Sequence, residues 1–383
     1  MPNLLLLALL AAFPPLSTDM YLPAIPTLQE LWGIPFSTVN LSLVLFMAVF
    51  SIGLLIHGPL SDRFGRRPVL IFGILLYLAG TFLCGISTGI GMLLVARCVQ
   101  AAGAAAGAAL ALALSKDLYE GAERQKILAH MGVIMAFAPM FAPTLGGLVL
   151  KFVSWRWIFA IQACMGLVGL YGVFRLKEPL KEFTRGGVLS MAGRYVAVLK
   201  NLPFVVLSTG FALMVLPHFA FIGGATDIYI NDLGLSPQAF GIFFGANAVG
   251  FMLGSFVCTR LIGVFKPLTM IYITMVAYVL SGALMLFMGG HTSFTVAIPM
   301  FCIAFSTGFS RPISNSLTLD QVDTDVGAAS GILTFEIFFV AAFSMQLISL
   351  EWDSKPWVLG VLSLLGALIP FVALQMVKKR CRF

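Results

Sequence analysis

One carboxylate stands in an otherwise apolar stretch near the start of the chain. Asp19 lies within FPPLSTDMYLPAIP (residues 13–26), residues 4–12 carry no polar side chain, and no Lys or Arg occurs among the first 62 residues. A carboxylate in such surroundings costs several kcal/mol unless it is neutral or paired. An acid in this place, where Asn would serve a permanently neutral role, is typical of a group that alternates between protonated and charged forms. Asp19 is therefore predicted to take up and release a proton.

A basic residue, Arg97, stands within a later apolar segment, LLVARCVQAAGAAAG. Arg97 lies one or two turns inside the outer end of its helix, where a terminal Arg could simply extend to the membrane surface. Gln100 and the small residues beyond it indicate a face that points into the protein. Arg97 starts from the same side as Asp19, so it is predicted to favour the charged form of Asp19 when the two approach.

A second acid occurs in the apolar segment ILTFEIFFVAAF, where Glu336 is about nine residues into a predicted span. Two interpretations are open. Glu336 is either a neutral, hydrogen-bonded acid that faces another helix, or a second site for a proton or a cationic substrate. Two other charged residues are predicted at span ends: Asp227, solvated at the outer end of span 7, and Arg311, anchored near the inner end of span 10.

The composition requires a membrane to receive these segments. Of 383 residues, 60% are hydrophobic and only 10% are charged, whereas soluble domains carry about 25% charged residues. The six Cys and four His show no metal-ligand or disulfide spacing, and no phosphate-binding loop occurs, so no cofactor, metal or ATP is predicted. The net charge of +7 is attributed to loop orientation, not to nucleic-acid binding.

Hydropathy and helix-breaking residues predict twelve spans, each long enough to cross the hydrocarbon. The first is interpreted as an uncleaved span and not as a signal peptide, since no basic segment precedes it. A leader on the cytoplasmic side could be missing, because this span begins almost at Met1. The spans are placed near 3–23, 38–57, 69–87, 91–114, 128–150, 157–175, 204–225, 238–259, 268–288, 294–313, 327–349 and 356–377.

The basic residues orient these spans. Twelve spans put both termini on one side, and the loops on that side hold 18 of the 23 Lys and Arg, against three on the other side. Cytoplasmic loops carry the excess of Lys and Arg, so both termini are predicted to be cytoplasmic. The 18 are Arg63, Arg66, Arg67, Lys116, Arg124, Lys126, Arg175, Lys177, Lys181, Arg185, Arg194, Lys200, Arg260, Lys266, Lys378, Lys379, Arg380 and Arg382. The three are Lys151, Arg156 and Lys355.

The chain divides into two halves of six spans. A charged cytoplasmic loop, 176–203, separates an N-terminal half at 1–175 from a C-terminal half at 204–383. Small residues recur in matching places, GAAAG in span 4 and GFMLG in span 8, and favour close helix packing. Two pseudo-symmetric halves predict a transporter with its site at their interface.

The segment after span 2 reads GPLSDRFGRRPVL, residues 58–70. Gly58 and Gly65 permit a tight turn, Asp62 can face a helix N-terminus, and Arg66 can pair with a carboxylate on a neighbouring helix. This stretch resembles the signature loop of the major facilitator superfamily, G-x-L-x-D-R-x-G-R-R/K. The resemblance implies a gating loop, which also includes Arg63 and Arg67, and an acidic partner at the end of span 4, which Asp117 supplies.

Two further motifs carry the same resemblance. Arg97, Gln100 and Gly103 match the span-4 motif R-x-x-Q-x-x-G, which implies proton transfer. In span 5, APMFAPTLGG resembles the antiporter signature G-P-x-x-G-G. The matching residues are Pro143, Gly146 and Gly147, with Pro139 a turn earlier and Ala142 in place of the first Gly.

The segments STDMYLPAIP and INDLGLSPQAFGIFFGANAVGFMLGS look like the bicyclomycin/chloramphenicol-resistance branch of the drug:proton antiporters. This resemblance implies a bacterial inner-membrane exporter of small, diverse, mostly apolar compounds. It also implies that Asp19 is the span-1 acid of the branch. Tyr21, Gln100 and Asn247 are the candidates for the substrate pocket.

The sequence thus predicts an all-α membrane protein with twelve transmembrane helices in two pseudo-symmetric six-helix halves. It is predicted to export hydrophobic drugs in exchange for protons by alternating access, as a monomer and not as an enzyme. Proton coupling is assigned to Asp19, Arg97 and Glu336. The alternative is a proton-coupled exporter of a metabolite (an amino acid, nucleoside or sugar) with the same fold.

Overall fold

The computed structural model describes residues 4–180 and 188–381, and these residues are helical apart from short connections. Three of the basic residues used above to orient the chain, Lys181, Arg185 and Arg382, lie outside the described residues. The helices up to the central connection are α1 (Leu4–Asp19), α2 (Ala24–Trp32), α3 (Phe36–Phe64), α4 (Arg66–Gly85), α5 (Ile90–Leu118), α6 (Gly121–Phe152) and α7 (Arg156–Arg175).

The remaining helices follow the central connection. They are α8 (Val188–Leu199), α9 (Leu202–Ala212), α10 (Leu216–Thr226), α11 (Pro237–Leu261), α12 (Pro267–Met288), α13 (Ser293–Leu319), α14 (Val326–Ile348) and α15 (Lys355–Val377). A 3₁₀ turn, Leu213–Val215, joins α9 to α10, and a π-helical turn, Asp227–Asp232, follows α10.

Among the described residues, eleven helices are long and apolar enough to cross a membrane. The pair α1 and α2, bent by 45°, makes a twelfth span when counted as one. The predicted count is therefore reached only with a broken first span. Pro23 explains the break, because it has no N–H for the carbonyl of Asp19 four residues earlier and its ring would clash with that carbonyl. Helix α1 accordingly ends at Asp19.

The seventh span is longer and less regular than the predicted 204–225, running over Leu202–Asp232. Pro217 removes the hydrogen bond to the carbonyl of Leu213, and the 3₁₀ turn begins at that residue. The π-helical turn at the far end is a rare geometry, which is frequent at functional positions.

The chain forms two compact units. Unit 1 comprises Met1–Gly187 with Pro237–Gly241, and unit 2 comprises Val188–Ser236 with Ile242–Phe383. The central connection, predicted only as a charged loop, contains the helix α8. Its Val198 packs in a buried cluster with Phe204, Ala329, Ile332 and Leu333 of unit 2. The assignment of 1–175, 176–203 and 204–383 as two functional halves and a linker stays a prediction.

Glycines bring the helices of each unit into backbone contact. A Cβ on Gly103 of α5 would overlap the backbone of Tyr77 on α4, and a Cβ on Gly254 of α11 would overlap the carbonyl of Phe305 on α13. Only glycine permits such an approach. In unit 1 this contact lets short hydroxyl and amide side chains on α4 and α5 reach one another.

Candidate functional site

Asp19 is buried at the last residue of α1, and its side chain is 5% exposed. The hydroxyl of Thr18 lies 2.9 Å from Asp19 Oδ1 and donates to it. Among the described residues, no Lys, Arg or His lies within ion-pair distance of Asp19. The acid is thus where the sequence placed it, inside the protein and without a basic partner.

Arg97 is fully buried and held by acceptors on three helices. Its Nη1 donates to the carbonyl of Ser17 at 3.0 Å and to Oε1 of Gln100 at 2.6 Å, and its Nε donates to the carbonyl of Ser42 at 3.4 Å. The guanidinium carbon lies 4.8 Å from the ring centroid of Tyr21 and 4.4 Å from that of Phe46, within cation–π range. One group is left over, because Nη2 is buried without a partner in the described structure.

Gln100 extends this contact to two further helices. Its amide nitrogen donates to Thr81 Oγ1 on α4 and to Gln162 Oε1 on α7, each at 2.9 Å. Gln162 in turn donates to the carbonyl of Leu16 at 3.2 Å. We call Arg97, Gln100, Gln162 and their partners Ser17, Tyr21, Ser42, Tyr77 and Thr81 the unit 1 polar cluster.

Two tyrosines close the unit 1 polar cluster. Tyr77 OH lies 2.9 Å from Ser17 Oγ, and Tyr21 OH lies 2.9 Å from Ser42 Oγ. Sequence reasoning found Arg97 and Gln100 through their motif but missed Gln162, although an amide in the apolar stretch IFAIQACMGL was a detectable signal. The serines and threonines gave no such signal, because hydroxyl side chains are common in membrane helices, where they also bond to their own backbone.

Arg97 and Asp19 are not paired in this structure, and the predicted approach of the two groups during transport stays a prediction. The guanidinium is occupied by the carbonyl of Ser17, two residues before Asp19, and by the acceptors on Gln100 and Ser42. Arg97 therefore holds the backbone that carries Asp19, not its carboxyl group. Any direct pairing requires a different arrangement of these two side chains.

The antiporter-like motif on α6 contacts the backbone at the break between α1 and α2. A Cβ on Gly146 of α6 would overlap the carbonyl of Met20, the residue after Asp19. Glycine at this position lets α6 contact the backbone between α1 and α2. Pro139 and Pro143 lie within α6, which continues through both of them. The motif thus contacts the segment that holds the acid.

The signature segment after span 2 forms an ion-pair chain. Arg66 lies 2.5 Å from Asp62 through Nη1 and 2.8 Å from Asp117 through Nε. The predicted acidic partner of Arg66, Asp117 on the next helix α5, is therefore in contact with it. Arg66 and Asp117 are largely buried, whereas Asp62 is 44% exposed. The gating role of these residues stays a prediction.

The turn itself differs from the expectation. Helix α3 continues through Gly58 to Phe64, so Gly58 does not form part of the turn, and that prediction is wrong. Gly65 alone makes it, with φ +98°, a backbone conformation that glycine adopts freely. Arg63 stays at the end of α3, with its guanidinium carbon 5.1 Å from the ring centroid of Phe64.

A reciprocal contact, missed by the sequence reasoning, fixes this turn from the other side. Glu178 accepts from the backbone N–H groups of Arg66 and Arg67 at 3.0 and 2.9 Å, at the N-terminus of α4. Arg67 donates to the carbonyls of Val173 and Phe174 at the end of α7. A carboxylate at a helix N-terminus and a cation at a C-terminus both match the helix dipole.

Glu336 is partly buried in unit 2. Thr209 donates its hydroxyl to Glu336 Oε1 at 3.1 Å, while Oε2 is buried without a partner in the described residues. The bond at Oε1 agrees with the interpretation of a hydrogen-bonded acid, whereas Oε2 remains able to accept a hydrogen bond from a ligand or a proton. The proton-coupling role predicted for Glu336 stays a prediction.

Asp227 corrects a further expectation. It was predicted to be solvated at the end of its span, but it is buried and forms an ion pair with Lys355 at the start of α15. Asn231 also donates to Asp227, at 2.6 Å. The partner was not predictable from sequence because 128 residues separate the two charges.

The pocket candidates are buried in this structure. Tyr21 and Gln100 belong to the unit 1 polar cluster and are 0% exposed, and Asn247 is 4% exposed. The side-chain oxygen of Asn247 has no partner among the described residues. Contact of these three residues with a substrate stays a prediction.

Comparison with known proteins assigns the class. The sequence profile of the Major Facilitator Superfamily matches residues 7–345. The chain therefore belongs to this superfamily of membrane transporters, and the prediction of an all-α, multi-pass fold of that type is confirmed.

Similar proteins come from bacteria. The chain is 33% identical over 340 residues to the uncharacterized MFS-type transporter YdgK of Bacillus subtilis (strain 168), covering 86% of this chain and 83% of the relative. It is 25% identical over 304 residues to the multidrug resistance protein MdtL of Salmonella schwarzengrund (strain CVM19633), covering 79% and 77%. The crystal structure of a D-xylose-proton symporter matches with a TM-score of 0.72 at 15% identity, covering 97% of both chains. That likeness shows the fold alone.

Proposed function

We propose that this chain is a proton-coupled exporter of small hydrophobic, drug-like compounds in the bacterial inner membrane. The observation that carries the proposal is Asp19, a buried carboxyl group at the break in the first span, with no basic partner among the described residues. Similarity to a multidrug resistance protein supports the substrate class. The motifs that resemble the bicyclomycin/chloramphenicol-resistance branch support exchange with protons.

In this proposal the proton resides on Asp19 while the carboxyl group is buried. An ionised, unpaired carboxylate is costly in such a place, so release of the proton requires a new partner or access to water. The free Nη2 of Arg97 supplies a donor near the backbone of Ser17, and a change at the Met20 contact with Gly146 would let Asp19 turn towards it. Drug binding and proton release are then linked through the same segment.

The driving force is sufficient without ATP. One charge that crosses a membrane potential of about 100 mV releases about 2.3 kcal/mol, which supports a gradient of about 50-fold. We further propose that both termini are cytoplasmic and that the transporter acts as a monomer with two halves that alternate in access.

Export by inverted membrane vesicles tests the proposal. Vesicles with the transporter are energised, and uptake is measured for a panel of uncharged and cationic drugs beside amino acids, nucleosides and sugars. The proposal expects drug uptake that collapses when a protonophore removes the proton gradient. Uptake of a metabolite alone would favour the alternative exporter, and drug uptake that persists without a gradient would contradict proton coupling.

A further inference from the structure

A second intramembrane cation, Arg311, lies in unit 2 where the sequence suggested only an anchor at a span end. Helix α13 continues beyond it to Leu319, which places Arg311 roughly 12 Å inside the helix end. Pro312 follows directly and leaves the carbonyl of Gly308 without its helical donor. Helix α13 continues unbroken past this cation, and the predicted role of Arg311 as an anchor near the inner end stays a prediction.

The neighbours of Arg311 are polar but not acidic. The ring of His218 on α10 lies near Phe251 on α11, and the carbonyl of Phe251 contacts Gly308, three residues before Arg311 on α13. The hydroxyl of Tyr278 on α12 bonds to Thr307, one turn before Arg311. In the described part of the chain, no carboxylate lies within 4 Å of Arg311 and no hydrogen bond joins its guanidinium. Two acids in spans of this unit have other contacts: Glu336 accepts from Thr209, and Asp227 pairs with Lys355. Among the described residues, Arg311 therefore carries a charge without a carboxylate at ion-pair distance.

His218 beside it is also incompletely bonded. Its Nδ1 is buried and has no partner among the described residues. Its ring centroid lies 5.6 Å from that of Phe219 and 5.4 Å from that of Phe251. The pair thus combines unused hydrogen-bonding groups with aromatic walls.

The residues around Arg311 differ in their exposure. Arg311 and His218 are each partly exposed, whereas Tyr278 is fully buried and fixed by Thr307 Oγ1 at 2.7 Å from its hydroxyl. Small-molecule sites combine mostly apolar and aromatic walls with a few placed polar groups, and Arg311 beside the aromatic rings near His218 matches that combination. An unpaired guanidinium offers a planar set of donors that fits a carboxylate with two parallel hydrogen bonds.

We infer that unit 2 holds a recognition site for the carboxylate of an amphipathic organic anion, with Arg311 as its cation, His218 as a second polar contact, and Phe219 and Phe251 against its apolar part. The inference rests on the proposed function, since it adds a substrate class to the same exporter. The transporter should therefore bind acidic, aromatic compounds in addition to neutral ones.

The test uses a matched pair of probes, 4-phenylbutyrate and its uncharged amide, on the full-length protein purified in detergent. Binding is measured by isothermal titration calorimetry for the wild type, Arg311→Gln and Arg311→Lys. We expect Arg311→Gln to weaken carboxylate binding at least about tenfold, the loss of one charge-assisted hydrogen bond, and to leave amide binding unchanged. Arg311→Lys should retain part of the preference, since it keeps the charge but not the planar fork.

Arg260→Gln is the control, because Arg260 is an exposed cation of the same unit and its loss should change neither probe. Equal loss of both probes in Arg311→Gln, or no preference for the carboxylate in the wild type, would overturn the inference. The proposed function has a separate test: it is contradicted when vesicles show no proton-dependent uptake of uncharged drugs. Binding of 4-phenylbutyrate in detergent can still be measured in that case, so the two failures are distinguishable.

Discussion

Two intramembrane arginines, one in each unit, are handled in opposite ways. Arg97 in unit 1 is fully buried and bonded to the carbonyls of Ser17 and Ser42 and to Gln100. Arg311 in unit 2 is partly exposed, and the described residues offer its guanidinium no hydrogen bond. The three hydrogen bonds of Arg97 tie helices together, whereas the guanidinium of Arg311 keeps its donors available for the ligand proposed above. The two residues have the same charge, so the surrounding acceptors decide the role.

The largest effect is expected from Arg97→Ala. Removal of three charged hydrogen bonds and the contacts with Tyr21 and Phe46 should lower the free energy of unfolding by about 2–4 kcal/mol and abolish proton-coupled export. Arg97→Lys should recover part of the export. Thermal unfolding in detergent and vesicle uptake measure the two effects.

Arg156→Ala is the control for that experiment, because Arg156 is an exposed arginine of the same unit. Export by Arg97→Ala at the wild-type level, against a gradient, would remove Arg97 from the proton path.

Asp62→Asn should come next. Arg66 would keep Asp117 but lose its exposed partner, so folding should change by less than about 1 kcal/mol while export falls about tenfold if the ion-pair chain gates transport. Initial uptake rates at matched expression give the comparison. Glu123→Gln, an exposed acid on α6, should leave export unchanged, and normal rates in Asp62→Asn would reject the gating role.

Glu336→Gln separates the two interpretations of that acid. If the buried Oε2 receives cationic substrates, the variant should lose export of cations by a few-fold or more and retain neutral compounds, because only the charge is removed. Parallel uptake of a cationic and an uncharged drug measures this, with the exposed Glu351→Gln as the control. A loss common to both drugs, or no loss, would favour a hydrogen bond to Thr209 as the whole role.

The smallest effect on folding is expected from Arg311→Gln, and it sharpens the comparison most. Arg311 is partly exposed and forms no ion pair among the described residues, so the variant should unfold within about 1 kcal/mol of the wild type or be more stable. Chemical unfolding of this variant beside Arg97→Gln measures the difference. A loss as large as that of Arg97→Gln would show that Arg311, too, is held by the protein.

Sequence patterns identified best the charged residues whose burial in an apolar segment costs free energy, because that segment alone shows the charge and its apolar surroundings. Asp19 and Arg97 stood out because a charge in an apolar span needs a reason, and twelve apolar segments fixed the class of fold. Partners far along the chain were not predictable: Lys355 for Asp227, Gln162 for Gln100 and Glu178 for the start of α4 are set by tertiary packing. The helix break after Asp19 could have been predicted, since Pro23 follows four residues later. The continuous hydropathy of residues 3–23 instead indicated a single unbroken span.

Asp19 carries the central claim, and proton release tests it most directly. Purified wild-type protein in weakly buffered detergent, with a pH-sensitive dye, should release protons when an exported drug is added. Asp19→Asn should fold normally and release none, while Glu30→Gln, an exposed acid on the adjacent α2, should release as many as the wild type. Undiminished release from Asp19→Asn would contradict the account and move the proton site elsewhere, with Glu336 as the next candidate.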